Sequence, residues 1–180
     1  DVRMGEKMYL LDFSKDEKFR PNLLSYYRGS PGDSTLVKKI PVIFDLETKK
    51  ETKLLSFTTP HFMPLELAWE KNSQQLTGIY FHRGYRQYDV VDIEANTGRL
   101  RTVYSEKERT HIDYATMFQK LKGDRFILAS QQSGWNNLYL IDWLTGKIIQ
   151  NLTPGEYVVN RVVHVDEDKN LLYFMAAGRE

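Results

Sequence analysis

The sequence predicts an all-β fold, a partial β-propeller made of four-stranded antiparallel blades. Three observations predict it. An apolar strand runs into Asp and then a Thr- or Gly-bearing turn three times: Val42-Ile43-Phe44-Asp45-Leu46-Glu47-Thr48, Val90-Val91-Asp92-Ile93-Glu94-Ala95-Asn96-Thr97-Gly98, and Tyr139-Leu140-Ile141-Asp142-Trp143-Leu144-Thr145-Gly146. The intervals from Asp45 to Asp92 and from Asp92 to Asp142 are 47 and 50 positions, close to the ~40–50-residue period of propeller blades. Aromatics make up 13% of the 180 residues, 11 of them Tyr, a composition that suits pleated sheets. No long segment carries apolar residues at helical spacing between caps.

Each element follows from local pattern. Lys7 to Asp12 reads as a strand, and Arg20 to Asp33, with Pro21, Gly29, Pro31 and Gly32, reads as a loop. Lys38 to Phe44 and Thr52 to Leu55 read as the last two strands of a blade. From about Pro60 the plan is complete: strands at Leu65–Trp69, Leu76–His82, Tyr88–Ile93 and Leu100–Tyr104, with turns at Lys71-Asn72-Ser73, around Gly84, and at Asn96-Thr97-Gly98. The plan repeats with strands at Met117–Leu121, Arg125–Ser130, Leu138–Asp142 and Ile148–Leu152, until Pro154-Gly155 breaks it. Val158–Val165 and Leu171–Met175, joined at Asp168-Lys169-Asn170, open a further unit. The division expected is residues 1–57 (an incomplete blade with an N-terminal loop), 58–108 and 109–155 (full blades), and 156–180 (the start of another). Propellers close with roughly four to eight blades, so this segment leaves blade faces to be covered by more chain or by a second copy, and a homodimer is one way to cover them.

Composition narrows the function classes. Basic and acidic residues number 25 and 24, which gives no reason to expect a nucleic-acid partner. There is no Cys, so disulfides, thiolate nucleophiles and Cys-ligated metals are excluded. No apolar run approaches the ~20 residues of a membrane helix. No basic-then-apolar leader follows Asp1, so no signal peptide is visible. A chain running from Asp1 to Arg179-Glu180, just past an apolar strand, is expected to be a piece of something longer.

Several passages together resemble a known family. Ser133-Gly134-Trp135-Asn136-Asn137-Leu138-Tyr139-Leu140-Ile141-Asp142 is similar to a blade strand of the dipeptidyl peptidase IV family. So is the passage Arg20-Pro21-Asn22-Leu23-Leu24-Ser25-Tyr26-Tyr27-Arg28, then Pro31-Gly32, then Val42-Ile43-Phe44-Asp45. Leu67-Ala68-Trp69 and Arg86-Gln87-Tyr88-Asp89-Val90-Val91-Asp92 fit the blade between. Order and spacing carry the likeness, over roughly residues 20–177. The resemblance implies an N-terminal propeller, usually of eight blades, followed by an α/β-hydrolase domain with a Ser–Asp–His triad that releases N-terminal dipeptides after Pro or Ala. It also implies that the propeller covers the active site, restricts access to short or flexible peptides, and supplies acidic residues that grip the substrate amino terminus. A periplasmic or secreted location is expected on the same ground.

Little of that chemistry falls on this segment. A hydrolase nucleophile elbow needs Gly-x-Ser-x-Gly, because only small neighbours permit the sharp turn that exposes the Ser, and no Ser here has that setting. The family's paired-Glu stretch is absent too, and Trp69-Glu70-Lys71 does not supply it. No catalytic residue, metal site or cofactor is therefore expected, and the segment alone is not a catalyst. His111 and Asp113, at i and i+2, face one way on a strand, but a third ligand is missing and an ordinary loop His is the simpler reading. A Ser–His–Asp triad assembled from distant positions is not selectable from the sequence. Arg83 and Arg86, at a strand-to-strand turn, are the candidate substrate-binding residues, able to hold a carboxylate bidentately. The competing reading is structural, with Arg86 and Gln87 tying blades through backbone carbonyls. Trp135 is expected to pack across its blade rather than stack on a ligand. Asp45, Asp92 and Asp142 are expected to cap turn amides, and Arg99 to Arg109 to form a charged edge strand.

The expected function is a non-catalytic propeller segment of a dipeptidyl peptidase IV-like serine peptidase that releases Xaa-Pro and Xaa-Ala dipeptides. Its expected partners are the hydrolase domain of the same parent chain and the peptide substrate. The alternative is a propeller that binds a protein or glycan with no peptidase attached, and a β-sandwich with coincidental repeats is a weaker third.

Overall fold

The structure is a computed structural model, and it describes residues 6–13, 20–29, 32, 39–57, 65–112 and 117–178. Every regular element among these is a strand. Hairpin β1 (Glu6–Asp12) with β2 (Asn22–Arg28) comes first, then the pair β3 (Val42–Phe44) and β4 (Glu51–Lys53). Two four-stranded antiparallel sheets follow in simple meander order. The first holds β5 (Glu66–Trp69), β6 (Gln75–Phe81), β7 (Gln87–Glu94) and β8 (Leu100–Lys107). The second holds β9 (Phe118–Leu121), β10 (Arg125–Ser130), β11 (Asn137–Asp142) and β12 (Ile148–Asn151). A last hairpin pairs β13 (Val158–Asp166) with β14 (Leu171–Ala177).

The strands expected in the two full sheets are all present within one to three residues of their expected ends. One expectation fails. Arg20 to Asp33 is not a loop throughout, because Asn22–Arg28 pairs along its whole length with β1, Tyr26 opposite Met8 and Leu24 opposite Leu10. The flanking Pro and Gly suggested a loop, yet Leu23-Leu24-Ser25-Tyr26-Tyr27 between them is a β-favouring run. Pro31, Asp33, Lys38, Pro60, His61 and Asp113, on which other expectations rested, lie outside the described residues.

Strand periodicity explains how the sheets join. Successive side chains on a strand point to opposite faces. In β7, Tyr88 and Val90 enter the core shared with the second sheet, while Val91 and Ile93 enter the core shared with β3 and β4. In β10, Phe126 and Leu128 face the first sheet, whereas Ile127 and Ala129 face the last hairpin. The inner strands are thus apolar on both faces, and each sheet is one layer of a stack with a core on either side. Fully burying such a side chain contributes about 1.5–3 kcal/mol, so each central sheet gains stability from the neighbours on both its faces.

The β7–β8 and β11–β12 hairpins are pressed against the sheet before them. Gly98 (φ 70°) has Thr52 Cγ2 3.0 Å from where a Cβ would stand. At Gly146 (φ 68°) an added Cβ would run into the Val103 carbonyl oxygen of β8. We predict that Gly146→Ala lowers stability by about 2–3 kcal/mol, combining the left-handed penalty with a forced backbone shift. Gly98→Ala, which meets a side-chain methyl, loses about half as much. Urea midpoints of the two variants test the order.

Candidate functional site

The β5–β6, β7–β8, β9–β10, β11–β12 and β13–β14 turns share one end of the stack, the lower rim. The β6–β7 and β10–β11 turns share the other, the upper rim. On the lower rim the Asp carboxylates cap turns as expected at two of three places. Asp45 Oδ1 accepts from the Glu47 and Thr48 amides, both at 2.9 Å. Asp142 Oδ1 accepts from the Leu144 amide at 3.1 Å and from the Thr145 amide and hydroxyl, both at 2.7 Å. Hydrogen bonds to Thr145 and Thr48 hold these two carboxyls below the ordinary aspartate range.

Asp92 departs from the pattern. It accepts from Arg101 Nη2 at 3.0 Å, and the turn corner is Glu94, whose amide donates to Arg99 O as the Asp142 amide does to Lys147 O. The repeating position is therefore Asp45, Glu94, Asp142, spaced 49 and 48 residues apart, more even than the Asp-only count. Asp92 lies two residues before the corner, on the face toward the second sheet. There Arg101 also donates to the Trp143 and Leu144 carbonyls at 3.0 and 3.3 Å. Lys120 pairs with Glu70 at 3.1 Å and stands 4.1 Å from the Trp143 ring centroid. Further along, Lys122 reaches Asp168 at 2.9 Å and its amide donates to Glu167 Oε2 at 2.7 Å. Arg101, Lys120 and Lys122 each reach from one sheet to the next.

A buried polar cluster sits between the two full sheets near the upper rim. Glu106 is 5% exposed and accepts from the Tyr88 hydroxyl at 2.9 Å, with the Tyr104 hydroxyl at 3.5 Å. Burial, then the Glu106 carboxylate, pushes both phenols well above the ordinary tyrosine range. They stay neutral donors, and their carboxylate is satisfied on one oxygen, while Oε1 has no partner among the described residues.

The upper-rim turn between β6 and β7 carries the sequence candidates. His82 Nε2 lies 2.7 Å from Asp89 Oδ2, the Ser105 hydroxyl donates to Asp89 Oδ1 at 2.6 Å, and Gln87 Nε2 reaches Ser105 Oγ at 3.2 Å. This brings Ser, His and Asp together in the wrong order for hydrolysis. The carboxylate takes both the imidazole and the hydroxyl, so the Ser lacks a base. The turn itself is anchored by Tyr85, whose carbonyl accepts from the Ile112 amide at 2.7 Å and whose ring lies 5.6 Å from His111. Arg83 and Arg86 flank that anchor and are exposed. Arg86 O accepts from the Glu108 amide at 2.8 Å, but neither guanidinium forms a hydrogen bond or ion pair with another described residue. The blade-tying role weighed for Arg86 and Gln87 is not what the geometry gives: Gln87 bonds inside its own sheet, to Asp89 and Ser105.

Comparison with known proteins agrees with this architecture. The family described as "Dipeptidyl peptidase IV (DPP IV) N-terminal region" matches residues 8–180. The chain belongs to that family. A probable dipeptidyl peptidase 4 of Aspergillus fumigatus is 28% identical over 120 residues, covering 62% of this chain. The chain spans 15% of that relative's length. Porphyromonas gingivalis dipeptidyl peptidase 4 superposes with a TM-score of 0.69 at 14% identity, over 97% of this chain and 24% of that one. A putative dipeptidyl aminopeptidase IV from Bacteroides ovatus gives 0.68 at 17%, over 96% and 27%. These two likenesses show the fold, an all-β propeller segment.

In this DPP IV N-terminal region the remaining candidates have plain roles. His111 lies tilted against the Tyr85 ring and His164 lies 6.1 Å from the Tyr173 ring. No group of three potential ligands stands together among the described residues. Trp135 remains 39% exposed on the β10–β11 turn, and the packing expected of it is done by Trp143, edge-on to Phe126 at 5.6 Å. Sequence reasoning missed Glu106, since a Glu in a charged edge strand gives no sign that it turns inward. Its one visible signal was its i+2 spacing from Tyr104, which puts both on one face at the end of β8.

Three outcomes follow for this region. Arg83→Ala and Arg86→Ala leave the thermal midpoint within the small range of surface changes, about ±0.5 kcal/mol. Tyr88→Phe removes the nearer donor of a buried carboxylate and costs about 1–3 kcal/mol, more than Tyr104→Phe. Asp142→Ala destabilises at neutral pH. Because the folded pKa is depressed, that contribution is present above the ordinary value of about 3.9 and fades as pH falls through the lower folded value. The gap in urea midpoint between Asp142→Ala and the parent should therefore narrow below about pH 4.

Proposed function

We propose that this chain is the non-catalytic propeller segment of a dipeptidyl peptidase IV-like serine peptidase. The reading rests on the family match over residues 8–180, joined to a fold whose blades have no nucleophile elbow of their own. In such a protein the propeller walls the substrate chamber, restricts access to short or flexible peptides, and docks the hydrolase domain of the same chain. Stacked sheets that share cores on both faces suit that work, because a rigid wall keeps its opening at one size. A periplasmic or secreted location accompanies the reading. The upper rim, where Arg83 and Arg86 stand exposed, is the surface we assign to substrate and hydrolase.

The test is an assay of the full-length protein with an Xaa-Pro chromogenic amide. Release of the dipeptide, abolished by a serine-directed inhibitor, is the expected result. Absence of any N-terminal dipeptide release by a folded full-length protein would overturn the proposal in favour of a binding propeller.

A further inference from the structure

Several cations of the lower rim are paired, and a cluster on the upper rim is not. On the lower rim Arg101, Lys120, Lys122 and Lys169 each have a carboxylate partner. On the upper rim Arg83 and Arg86 stand on one tight turn, and Lys107, opposite Gln87 in the register, and Arg109 stand beside it. All four are exposed, and none forms an ion pair with another described residue. The adjoining segment carries Glu108, and Asp113 follows it in sequence, so the four cations outnumber the acids beside them by two to one. Asp89, on the same sheet, is engaged on both oxygens by His82, Ser105 and Gln87, and Glu106 is buried under Tyr88 and Tyr104.

The cations are also held in place. The Glu108 amide is bonded to Arg86 O and the Ile112 amide to Tyr85 O, and Ile112 is 2% exposed. Tyr85 packs against the core shared by the two sheets. A turn pinned at three points presents two guanidinium groups with little backbone freedom to lose on binding. Arg forks match carboxylates bidentately, and several like charges within about 10 Å raise the local potential that attracts an anion.

We propose that this turn binds a carboxylate of the peptide substrate, with Arg83 and Arg86 as the ligands and Lys107 and Arg109 supplying the surrounding field. The inference rests on the peptidase reading above and names a substrate preference within it: peptides with an anionic group beyond the released dipeptide. The carboxylate has two sources, the peptide C-terminus or an acidic side chain.

The experiment uses the full-length protein and three short Xaa-Pro peptides of equal length: free C-terminal acid, C-terminal amide, and the amide with one Gln replaced by Glu. Dipeptide release gives kcat/KM for each. The acid is expected to exceed the neutral amide about five- to tenfold, mainly in KM and less at high salt. Recovery of the preference by the Glu peptide assigns a side-chain carboxylate, and failure to recover it assigns the C-terminus. Arg83→Gln with Arg86→Gln collapses the acid-to-amide ratio to near one, while Lys122→Gln on the lower rim leaves it. Equal rates for acid and amide, or a ratio that survives the double Arg variant, overturns the inference while the peptidase reading stands. If no peptide is cleaved, the peptidase reading fails, and calorimetric titration of the same peptides decides the site. Tighter binding of the acid, lost in the double variant, supports it, and equal binding sinks it.

Discussion

The constraint on which the rest of this structure depends is burial of each inner strand on both faces. Tyr88 and Val90 go to one core, Val91 and Ile93 to the other, and Phe126, Leu128 and Ile127, Ala129 divide in the same way. A sheet built so is unstable alone, since both of its apolar faces would meet water. Stacking is therefore the condition for each blade to fold, as in other repeat architectures. The polar groups follow from that condition. Once sheets lie face to face, the hairpins of one abut the outer strand of the last, which is why Gly146 sits against Val103 and why Arg101 finds the Trp143 and Leu144 carbonyls within reach.

Much of the architecture was legible in the chain. Alternation and turn chemistry located the strands of both full sheets, because period 2 and Asn, Asp or Gly corners are local signals. The β2 strand was hidden by its flanks: Pro21, Gly29, Pro31 and Gly32 signal a loop, and pairing with β1 decides otherwise. The repeat was read through Asp92, although the corner belongs to Glu94. A residue-type match led the count astray by two positions, and backbone hydrogen bonds corrected it.

The candidate site was less legible than the fold. Arg83 and Arg86 were visible as a pair on a turn, but whether they tie blades or face solvent depends on partners that sequence spacing does not name. The absence of ion-pair partners among the described residues, and the anchoring of Tyr85 by Ile112, came from tertiary geometry. Glu106 was invisible for the same reason, since burial of a carboxylate depends on two tyrosines, one of them on another strand. Ser105, His82 and Asp89 show the reverse hazard: three catalytic residue types brought together without catalytic order.

Hydrogen exchange on the full-length protein tests the shared-core account most directly. If the sheets are mutually dependent layers, the amides of β6, β7, β10 and β11 will be the slowest in this segment and will exchange together, as one cooperative unit. Separate exchange of β5–β8 and β9–β12, with one sheet opening well before the other, would contradict the account and make each blade an independent fold.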